Sequence, residues 1–310
     1  VELGDEVPEG VGYQQVFGLH GCILPRPSAP VVRNPAEPRP IDVGGLLWQH
    51  GPMIQIEPIC AMSDNYVWMA WSPPFDAVVI VDPGDATPVL RMIHRRDLRI
   101  AAILITHHHN DHVGGVAELL QANPAPVYGP KREKIPHVDH LVGGGSTVRV
   151  QELGFELQVM DVPGHTAGHV AYIGPGFAFV GDTLFAGGCG RVFEGTPELM
   201  HSSLRRLAAL PGDTEVFCAH EYTAANLQFA LEVEPDNRRL ASRLEFARRE
   251  RAEGRPTLPS TIDDELATNP FMRCDQSPVV QAAERRAGRE LAGPAEVFGI
   301  IRHWKDGWRG

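Results

Sequence analysis

The sequence predicts an α+β fold in which two β-sheets pack face to face with helices outside, followed by a smaller α-helical part. Up to His220, short apolar runs rich in β-branched residues alternate with helical segments, without strict strand-helix-strand repetition. After His220, apolar residues recur at helical spacing with charged residues between them. A chain of 310 residues is long enough for one large domain and a smaller one. We therefore expect domains over residues 53–220 and 221–310.

Residues 1–52 differ in character from the rest of the chain. Six prolines lie between positions 25 and 40, and no helical or strand periodicity is sustained around them. Such a composition is poorly suited to a packed core, so we expect a disordered extension. The early acidic residues speak against a mitochondrial targeting segment, and no basic stretch precedes an apolar one as a signal peptide requires.

The strands predicted before residue 220 are short, apolar and closed mostly by Pro, Gly or Asp. They cover residues 54–56, 66–70, 77–81, 101–105, 147–150, 155–160, 177–181 and 215–219. One helix fits residues 115–121, and another opens at Thr196-Pro197, because threonine caps a helix and proline suits its first turn. Helical periodicity then predicts helices over residues 224–233, 236–252 and 279–289.

Charge and cysteine content exclude several classes of function. The formal net charge is 28 − 39 = −11, which argues against general nucleic-acid binding. No apolar run is long enough to span a bilayer, so we expect no membrane partner. Five cysteines, an odd number without a Cys-x-x-Cys pair, are typical of a reducing compartment. We expect a cytoplasmic monomer.

The histidine run that follows residues 101–105 predicts half of a two-metal site. In extended backbone, residues two apart point to the same side, so His107 and His109 point together and His108 points away. Asp111 and His112 follow where the chain must turn, so they can address a second position a few ångströms away. Imidazole and carboxylate are ligands of zinc and similar ions.

Three further candidate ligands, His165, Asp182 and His220, each follow a predicted strand. The carboxyl ends of strands form the face where sites are built, since loops there are held by a rigid sheet. The expected ligand sets are His107, His109 and His165 for one metal, Asp111, His112 and His220 for the other, and Asp182 as a bridge. We expect two divalent ions, with zinc first and iron or manganese also compatible.

Such a site favours hydrolysis of an acyl group, because two ions can share a hydroxide and polarise a carbonyl. A thioester suits it, since the leaving thiol has a pKa of about 8.5. Asp111 and Asp182 would be catalytic through the hydroxide that the metals hold. Asp82 is the candidate to orient a ligand histidine, and the alternative that it only starts the turn at Pro83 stays open.

Two other residues near these motifs have structural interpretations. His169 lies within a ligand motif, and we expect it to form structural hydrogen bonds rather than bind metal. Cys189 has no paired base in its own motif, so we expect it to pack as a small hydrophobic residue rather than act as a nucleophile.

Beyond the histidine run, several short motifs together resemble the glyoxalase II family, the hydroxyacylglutathione hydrolases of the metallo-β-lactamase fold. The matching stretches are residues 63–66, 81–84, 107–115, 163–169, 181–185, 188–191, 193–196, 220–223 and 269–273. The resemblance implies an αββα sandwich followed by a helical, substrate-binding C-terminal domain. It also implies hydrolysis of S-D-lactoylglutathione to glutathione and D-lactate, the second step of methylglyoxal removal.

The resemblance further implies substrate-binding roles for Arg191, Tyr128, Tyr172 and Arg273 around the glutathione moiety. For each tyrosine, the alternative is an ordinary sheet residue. Some family members have lysines near two of these positions, where this chain offers Pro126 and Gln276.

Two competing functions remain. One is a persulfide dioxygenase with a single iron on the same scaffold, and the other is a non-catalytic metal-binding protein.

Overall fold

Two six-stranded β-sheets form the centre of the fold in this computed structural model, which describes residues 54–309. The first sheet contains, in order, β1 (Gln55–Ala61), β2 (Asn65–Trp71), β3 (Ala77–Val81), β4 (Arg99–Leu104), β5 (Val127–Pro130) and β6 (His140–Val142). The second contains, in spatial order, β14 (Ser260–Thr261), β13 (Glu215–Cys218), β10 (Phe177–Gly181), β9 (Val170–Gly174), β8 (Phe155–Asp161) and β7 (Thr147–Val150). The pairs β3–β4, β4–β5, β5–β6 and β10–β13 are parallel, and the other neighbours are antiparallel.

Helices lie outside the sheets and dominate the C-terminal part. They are α1 (Ala86–Arg96), α2 (Asn110–Val113), α3 (Val116–Ala122), α4 (Pro197–Leu207), α5 (Thr223–Val233), α6 (Arg238–Ala252), α7 (Ile262–Thr268), α8 (Ser277–Ala287) and α9 (Pro294–Gly307). Short 3₁₀ turns cover Gln151–Leu153 and Pro270–Met272, and a two-stranded hairpin is formed by β11 (Leu184–Phe185) and β12 (Gly188–Cys189). No helix among the described residues is long and apolar enough to cross a membrane.

Alternating side chains of β2 divide the core into two layers. Trp68 and Ala70 face the second sheet, where they join a cluster that includes Phe179. Val67 and Met69 face the other way and pack with apolar residues of α1 and α3. Because successive side chains of a strand point to opposite faces, a strand buried on both sides must be apolar throughout. The predicted α+β fold class is therefore confirmed.

The two sheets meet at one end, where the candidate ligands lie. Trp68 Nε1 donates a hydrogen bond to Cys218 O at 2.9 Å, and the backbone nitrogen of Tyr66 donates to Ala219 O at 2.7 Å. On the other side of the sandwich end, Val170 N donates to Thr106 O at 3.0 Å. These contacts hold the carboxyl ends of β4 and β13 against the opposite sheet.

Several elements differ from the sequence prediction. The helix α1 was not predicted. Asp85 caps this helix, and Pro88 falls within its first turn. The helix α9 was missed as well. The strand β14 comes from the helical part of the chain and extends the second sheet. The expected disorder of residues 1–52 lies outside the described residues.

Candidate metal centre

All seven predicted ligands converge at the end of the sandwich where β4, β8, β10 and β13 finish. His107 and His109 follow β4, and Asp111 and His112 lie in the short helix α2. The remaining three follow the other strands: His165 after β8, Asp182 after β10 and His220 after β13. Their donor atoms form three overlapping groups, each within 4.8 Å: His107, His109 and His165; His107, His112 and Asp182; Asp111, His112 and His220.

Asp182 lies between the two expected ligand sets. Its Oδ2 is 3.5 Å from His165 Nε2, which belongs to the first set. Its Oδ1 is 3.4 Å from both His112 Nε2 and His220 Nε2, which belong to the second. Two donor atoms that bind one tetrahedral ion at about 2.1 Å lie about 3.4 Å apart. The separations around Asp182 are therefore those of ligands that share an ion.

Within each set the donor atoms are similarly close. In the first set, His109 Nδ1 is 3.0 Å from His107 Nε2 and from His165 Nε2. In the second set, Asp111 Oδ2 is 3.6 Å from His112 Nε2 and 3.4 Å from His220 Nε2. The first set is slightly tighter than a coordinated ion requires and would open by a few tenths of an ångström.

Two buried atoms of the site have no hydrogen-bond partner in the protein. They are His112 Nε2 and Asp182 Oδ1, which lie 3.4 Å apart. An unpaired buried polar atom is costly, so native sites leave one only where a ligand or water completes it. Nitrogen and carboxylate donors around these atoms are those of zinc, iron or manganese. The residues present therefore fit a metal centre.

Asp82 contacts the ligand His112, as expected if it orients a ligand histidine. Its Oδ2 lies 3.1 Å from His112 Nδ1 and accepts the Thr106 hydroxyl at 2.7 Å, while its Oδ1 accepts the Thr106 backbone N–H at 2.7 Å. The same residue has a left-handed backbone, with φ of 52°, at the turn before Pro83. Asp82 both shapes the turn and reaches the ligand.

The other Nε2 ligands are also held through Nδ1. His220 Nδ1 is 2.8 Å from Asp64 Oδ1, His165 Nδ1 is 2.9 Å from Arg191 O, and His107 Nδ1 is 3.1 Å from Thr106 Oγ1. Such contacts select the tautomer that leaves Nε2 free to bind a metal. The contact with Asp64 was missed by sequence reasoning, although the Ser-Asp-Asn-Tyr motif contains it.

Asn65, from the same motif, holds the carboxylate of Asp111. Its Nδ2 donates to Asp111 Oδ2 at 3.1 Å. Residues 64 and 65 therefore orient two ligands of the second set.

His108 and His169 lie where the sequence expects them, outside the ligand sets. His108 turns away and contacts Glu133 and Glu194 at 3.0 and 3.3 Å. His169 is buried, and its Nε2 accepts the backbone N–H of Asp182 at 3.1 Å. Its role is structural, because it fixes the backbone of the central carboxylate.

Two glycines allow the backbone to approach the ligands closely. A Cβ at Gly84 would lie 1.9 Å from the carbonyl oxygen of Asp111. A Cβ at Gly190 would lie 2.0 Å from the carbonyl oxygen of Asp182. Any other residue at either position would push the loop off a ligand, which explains two of the motif glycines.

Burial and neighbouring charges shift the pKa values of the candidate ligands. Burial lowers the pKa of His107 well below its usual value, and neighbouring His112 lowers it further. Burial alone would raise the pKa of Asp182, but the adjacent His112 and His220 hold it well below its usual range. For His220, burial lowers the pKa, yet the carboxylates of Asp111 and Asp182, each 3.4 Å from its Nε2, outweigh burial and raise the pKa to about 10.

The Tyr172 side chain is buried in this structure, and its predicted role in substrate binding stays a prediction. Tyr172 is fully buried on β9, and its hydroxyl donates to Ile105 O at 2.8 Å and to Tyr128 O at 3.3 Å. It is a core residue that ties the two sheets together. Tyr128 is half-buried on β5, and its ring stacks on His140 at 4.6 Å.

The two predicted arginines have different surroundings. Arg191 is exposed directly after β12, and its carbonyl oxygen contacts His165. Arg273 forms a bidentate pair with Glu234, at 2.8 and 2.9 Å, and donates to Leu266 O. The Glu234 side chain is only 3 % exposed. Two of the five N–H groups of Arg273 take no part in these hydrogen bonds, and the residue lines a cavity of about 660 Å³ in the helical part, within the usual size range of ligand pockets.

Two aromatic residues at the ligands were missed. Phe193 is 60 % exposed, and its ring lies 5.3 Å from that of His165 and 5.8 Å from that of His109. Tyr222 is 37 % exposed, and its ring stacks on His220 at 4.8 Å. Both belong to motifs already noted in the sequence, Phe-Glu-Gly-Thr (residues 193–196) and His-Glu-Tyr-Thr (residues 220–223). Membership of these motifs could have indicated that the two aromatic residues lie near a ligand.

Cys189 has the packing role expected of it. The thiol is buried, and burial raises its pKa to about 11. A thiol protonated at neutral pH is a poor nucleophile.

Comparisons with known proteins agree with this geometry. A family profile described as the metallo-beta-lactamase superfamily matches residues 65–220, and one described as the hydroxyacylglutathione hydrolase C-terminus matches residues 221–308. The chain is 53 % identical over 254 residues to the hydroxyacylglutathione hydrolase of Halorhodospira halophila, covering 82 % of this chain and 99 % of that protein. It is 51 % identical to the enzyme of that name from Pseudomonas aeruginosa, covering 82 % and 99 %. Among solved structures, ETHE1 from Myxococcus xanthus aligns with a TM-score of 0.56 at 24 % identity, covering 81 % and 90 %, which shows a shared fold.

Proposed function

The chain belongs to the hydroxyacylglutathione hydrolase family of the metallo-β-lactamase superfamily, and we propose that it hydrolyses S-(2-hydroxyacyl)glutathione thioesters. The reaction would convert S-D-lactoylglutathione and water to glutathione and D-lactate, a step of methylglyoxal detoxification. The observation that supports this most directly is Asp182, whose two oxygens each face one of two complete ligand sets.

We propose that the site holds two divalent ions, with zinc first and iron or manganese compatible with the same donors. When bound, such ions lower the pKa of water from about 16 toward 7 and polarise a carbonyl. His107, His109 and His165 would hold one ion, and Asp111, His112 and His220 the other.

The protein's own contribution to the reaction is orientation and charge. Asp182 and Asp111 keep ionised carboxylates at the reacting centre, and Asp82 and Asp64 keep Nε2 of His112 and His220 available. The departing glutathione thiolate, with a pKa of about 8.5, needs little help from an acid. No side-chain nucleophile is required.

Substrate binding would fall to the exposed groups beside the ligands. Phe193 contacts histidines of the first ligand set and Tyr222 a histidine of the second, and both would border the acyl thioester. Arg191 has an exposed guanidinium that suits a glutathione carboxylate. Arg273 would contribute less directly, since Glu234 already holds it, and Tyr128 stays a candidate for the peptide part.

Other expectations stay predictions. They are the domain limits at residues 53–220 and 221–310, the monomeric state, the cytoplasmic location and the lack of nucleic-acid and membrane partners.

The test uses the purified full chain. Elemental analysis should find two divalent ions per chain, and a panel of glutathione thioesters should show hydrolysis that is fastest with S-D-lactoylglutathione. Measurement of oxygen uptake with glutathione persulfide as substrate is the matched assay for the alternative, a persulfide dioxygenase. Oxygen uptake with one iron per chain, or metal binding without either reaction, would contradict the proposal.

A further inference from the structure

Side chains from the helical part of the chain form hydrogen bonds to the backbone of the hairpin β11–β12. Asn269 Nδ2 donates to Gly188 O at 2.8 Å and to Phe185 O at 3.3 Å. Asn226 Nδ2 donates to Ala186 O at 3.2 Å. The remaining two contacts are Gly187 N donating to Glu265 Oε2 at 2.8 Å and an Arg302 guanidinium nitrogen donating to Cys189 O at 2.9 Å. Every residue from 185 to 189 therefore has a backbone group bound by that part.

These four side chains, which we name the hairpin clamp, are Asn226, Glu265, Asn269 and Arg302. All of them are buried; three come from α5, α7 and α9, and Asn269 lies between α7 and the 3₁₀ turn that follows it. Glu265 also accepts Asn269 Nδ2 at 2.8 Å and Arg243 at 2.5 Å. Buried polar groups that satisfy one another in this way hold a single geometry, because each lost contact leaves a partner unpaired.

Along the chain, the hairpin lies between Asp182 and the residues that contact His165. It begins two residues after Asp182. It ends just before Gly190, whose Cβ position is 2.0 Å from Asp182 O and 3.0 Å from His165 Nδ1. The next carbonyl, that of Arg191, lies 2.9 Å from His165 Nδ1. A shift of the hairpin would therefore move the support of two ligands.

We propose that the hairpin clamp makes metal binding depend on the helical part of the chain. Its four members are positioning residues: they touch neither metal nor substrate, and act by holding the hairpin against Asp182 and His165. The inference rests on the metal centre of the proposed function, but not on the identity of the substrate. It also gives a role to Asn269, which opens the Asn-Pro-Phe-Met-Arg motif.

Asn269→Asp is the sharpest test. The substitution preserves shape and the Oδ1 that accepts Phe271 N, but it replaces the donating NH₂ with an oxygen facing Phe185 O, Gly188 O and the Glu265 carboxylate. Chelator competition on the full chain should show zinc affinity 10- to 100-fold weaker than wild type, the range typical of groups that support ligands. A cobalt-loaded sample should show an altered visible spectrum.

Leu244→Ala is the matched control for loss of stability. Leu244 is buried between α5 and α6 in the same part of the chain, and its side chain can form no hydrogen bond to the hairpin. It should lower the melting temperature while zinc affinity stays at the wild-type value. If Asn269→Asp fails to fold, Asn226→Ala and Arg302→Met replace it, and Arg302→Lys should recover part of the affinity that Arg302→Met loses.

The proposal is overturned if folded clamp variants keep wild-type zinc affinity, or if Leu244→Ala weakens zinc as much as they do. A wild-type chain that binds no metal would overturn it together with the metal centre. A wild-type chain that binds two ions but cleaves no glutathione thioester would remove the proposed function and leave this test intact, since its readout is metal binding.

Discussion

Replacing Asp82 with asparagine should release metal from the second ligand set. The Asp82 side chain is 3 % exposed, and its two oxygens accept the Thr106 backbone N–H, the Thr106 hydroxyl and the Nδ1 proton of His112. In Asp82→Asn, an amide oxygen that keeps the bond to Thr106 N turns the NH₂ toward His112 Nδ1. His112 would then accept at Nδ1 and carry its proton on Nε2, where a metal must bind.

The magnitude follows from the contact that is lost. A hydrogen bond to a charged group contributes about 1.5–3 kcal/mol, which corresponds to about 10- to 150-fold in affinity. Because water cannot reach this buried position, we expect the full range to apply. The assay is chelator competition combined with elemental analysis, which should show one ion retained firmly and the second lost at a lower chelator concentration.

Asp64→Asn is the matched control. Asp64 makes the equivalent contact to His220 Nδ1 at 2.8 Å, but its side chain is 35 % exposed. Water can replace the lost contact there, so the loss of affinity should be several-fold smaller than in Asp82→Asn. Wild-type affinity in Asp82→Asn, or a larger loss in Asp64→Asn, would refute the argument that burial of the orienting carboxylate sets its contribution.

Three further predictions concern the bridge, the core and the substrate arginines. Asp182→Ala should lose both ions and all thioester hydrolysis, because no carboxylate would then offset the repulsion between two nearby cations. Elemental analysis and a thioester assay check this, and retention of two ions would show that Asp182 is not a bridge. Tyr172→Phe should cost about 1 kcal/mol of unfolding free energy, the value of one hydrogen bond, and leave KM unchanged. Chemical denaturation and steady-state kinetics check it, and a raised KM would instead support the predicted substrate role of Tyr172. Arg191→Ala should raise KM with little loss of stability, whereas Arg273→Ala should lower stability by about 3 kcal/mol, since it leaves Glu234 buried without its partner. Equal effects of the two arginine variants on stability would contradict this distinction.

The sequence alone was sufficient to predict the fold class and the convergence of the seven candidate ligands. Each ligand lies in the loop or short helix that follows a strand, so its place depends on local spacing. The two-residue spacing of His107 and His109 puts both on one side, and a chain turn sends Asp111 and His112 to the other. The carboxyl ends of the strands then meet because the sheets pack, which the apolar runs already required.

Tertiary structure decided which other side chains reach the site. Tyr222 lies in a family-like motif and Tyr172 three residues after another. The strand β9 turns Tyr172 into the core, whereas the loop after β13 stacks Tyr222 on His220. Asp82 was already a candidate from the sequence, but the structure was needed to decide between its two interpretations. Asp64 is 156 positions from His220, and no local spacing could reveal their contact. The same holds for the hairpin clamp, whose members lie up to 113 residues from the backbone groups they bind. Contacts between distant segments depend on how sheets and helices pack, and that is a property of the whole chain rather than of any motif.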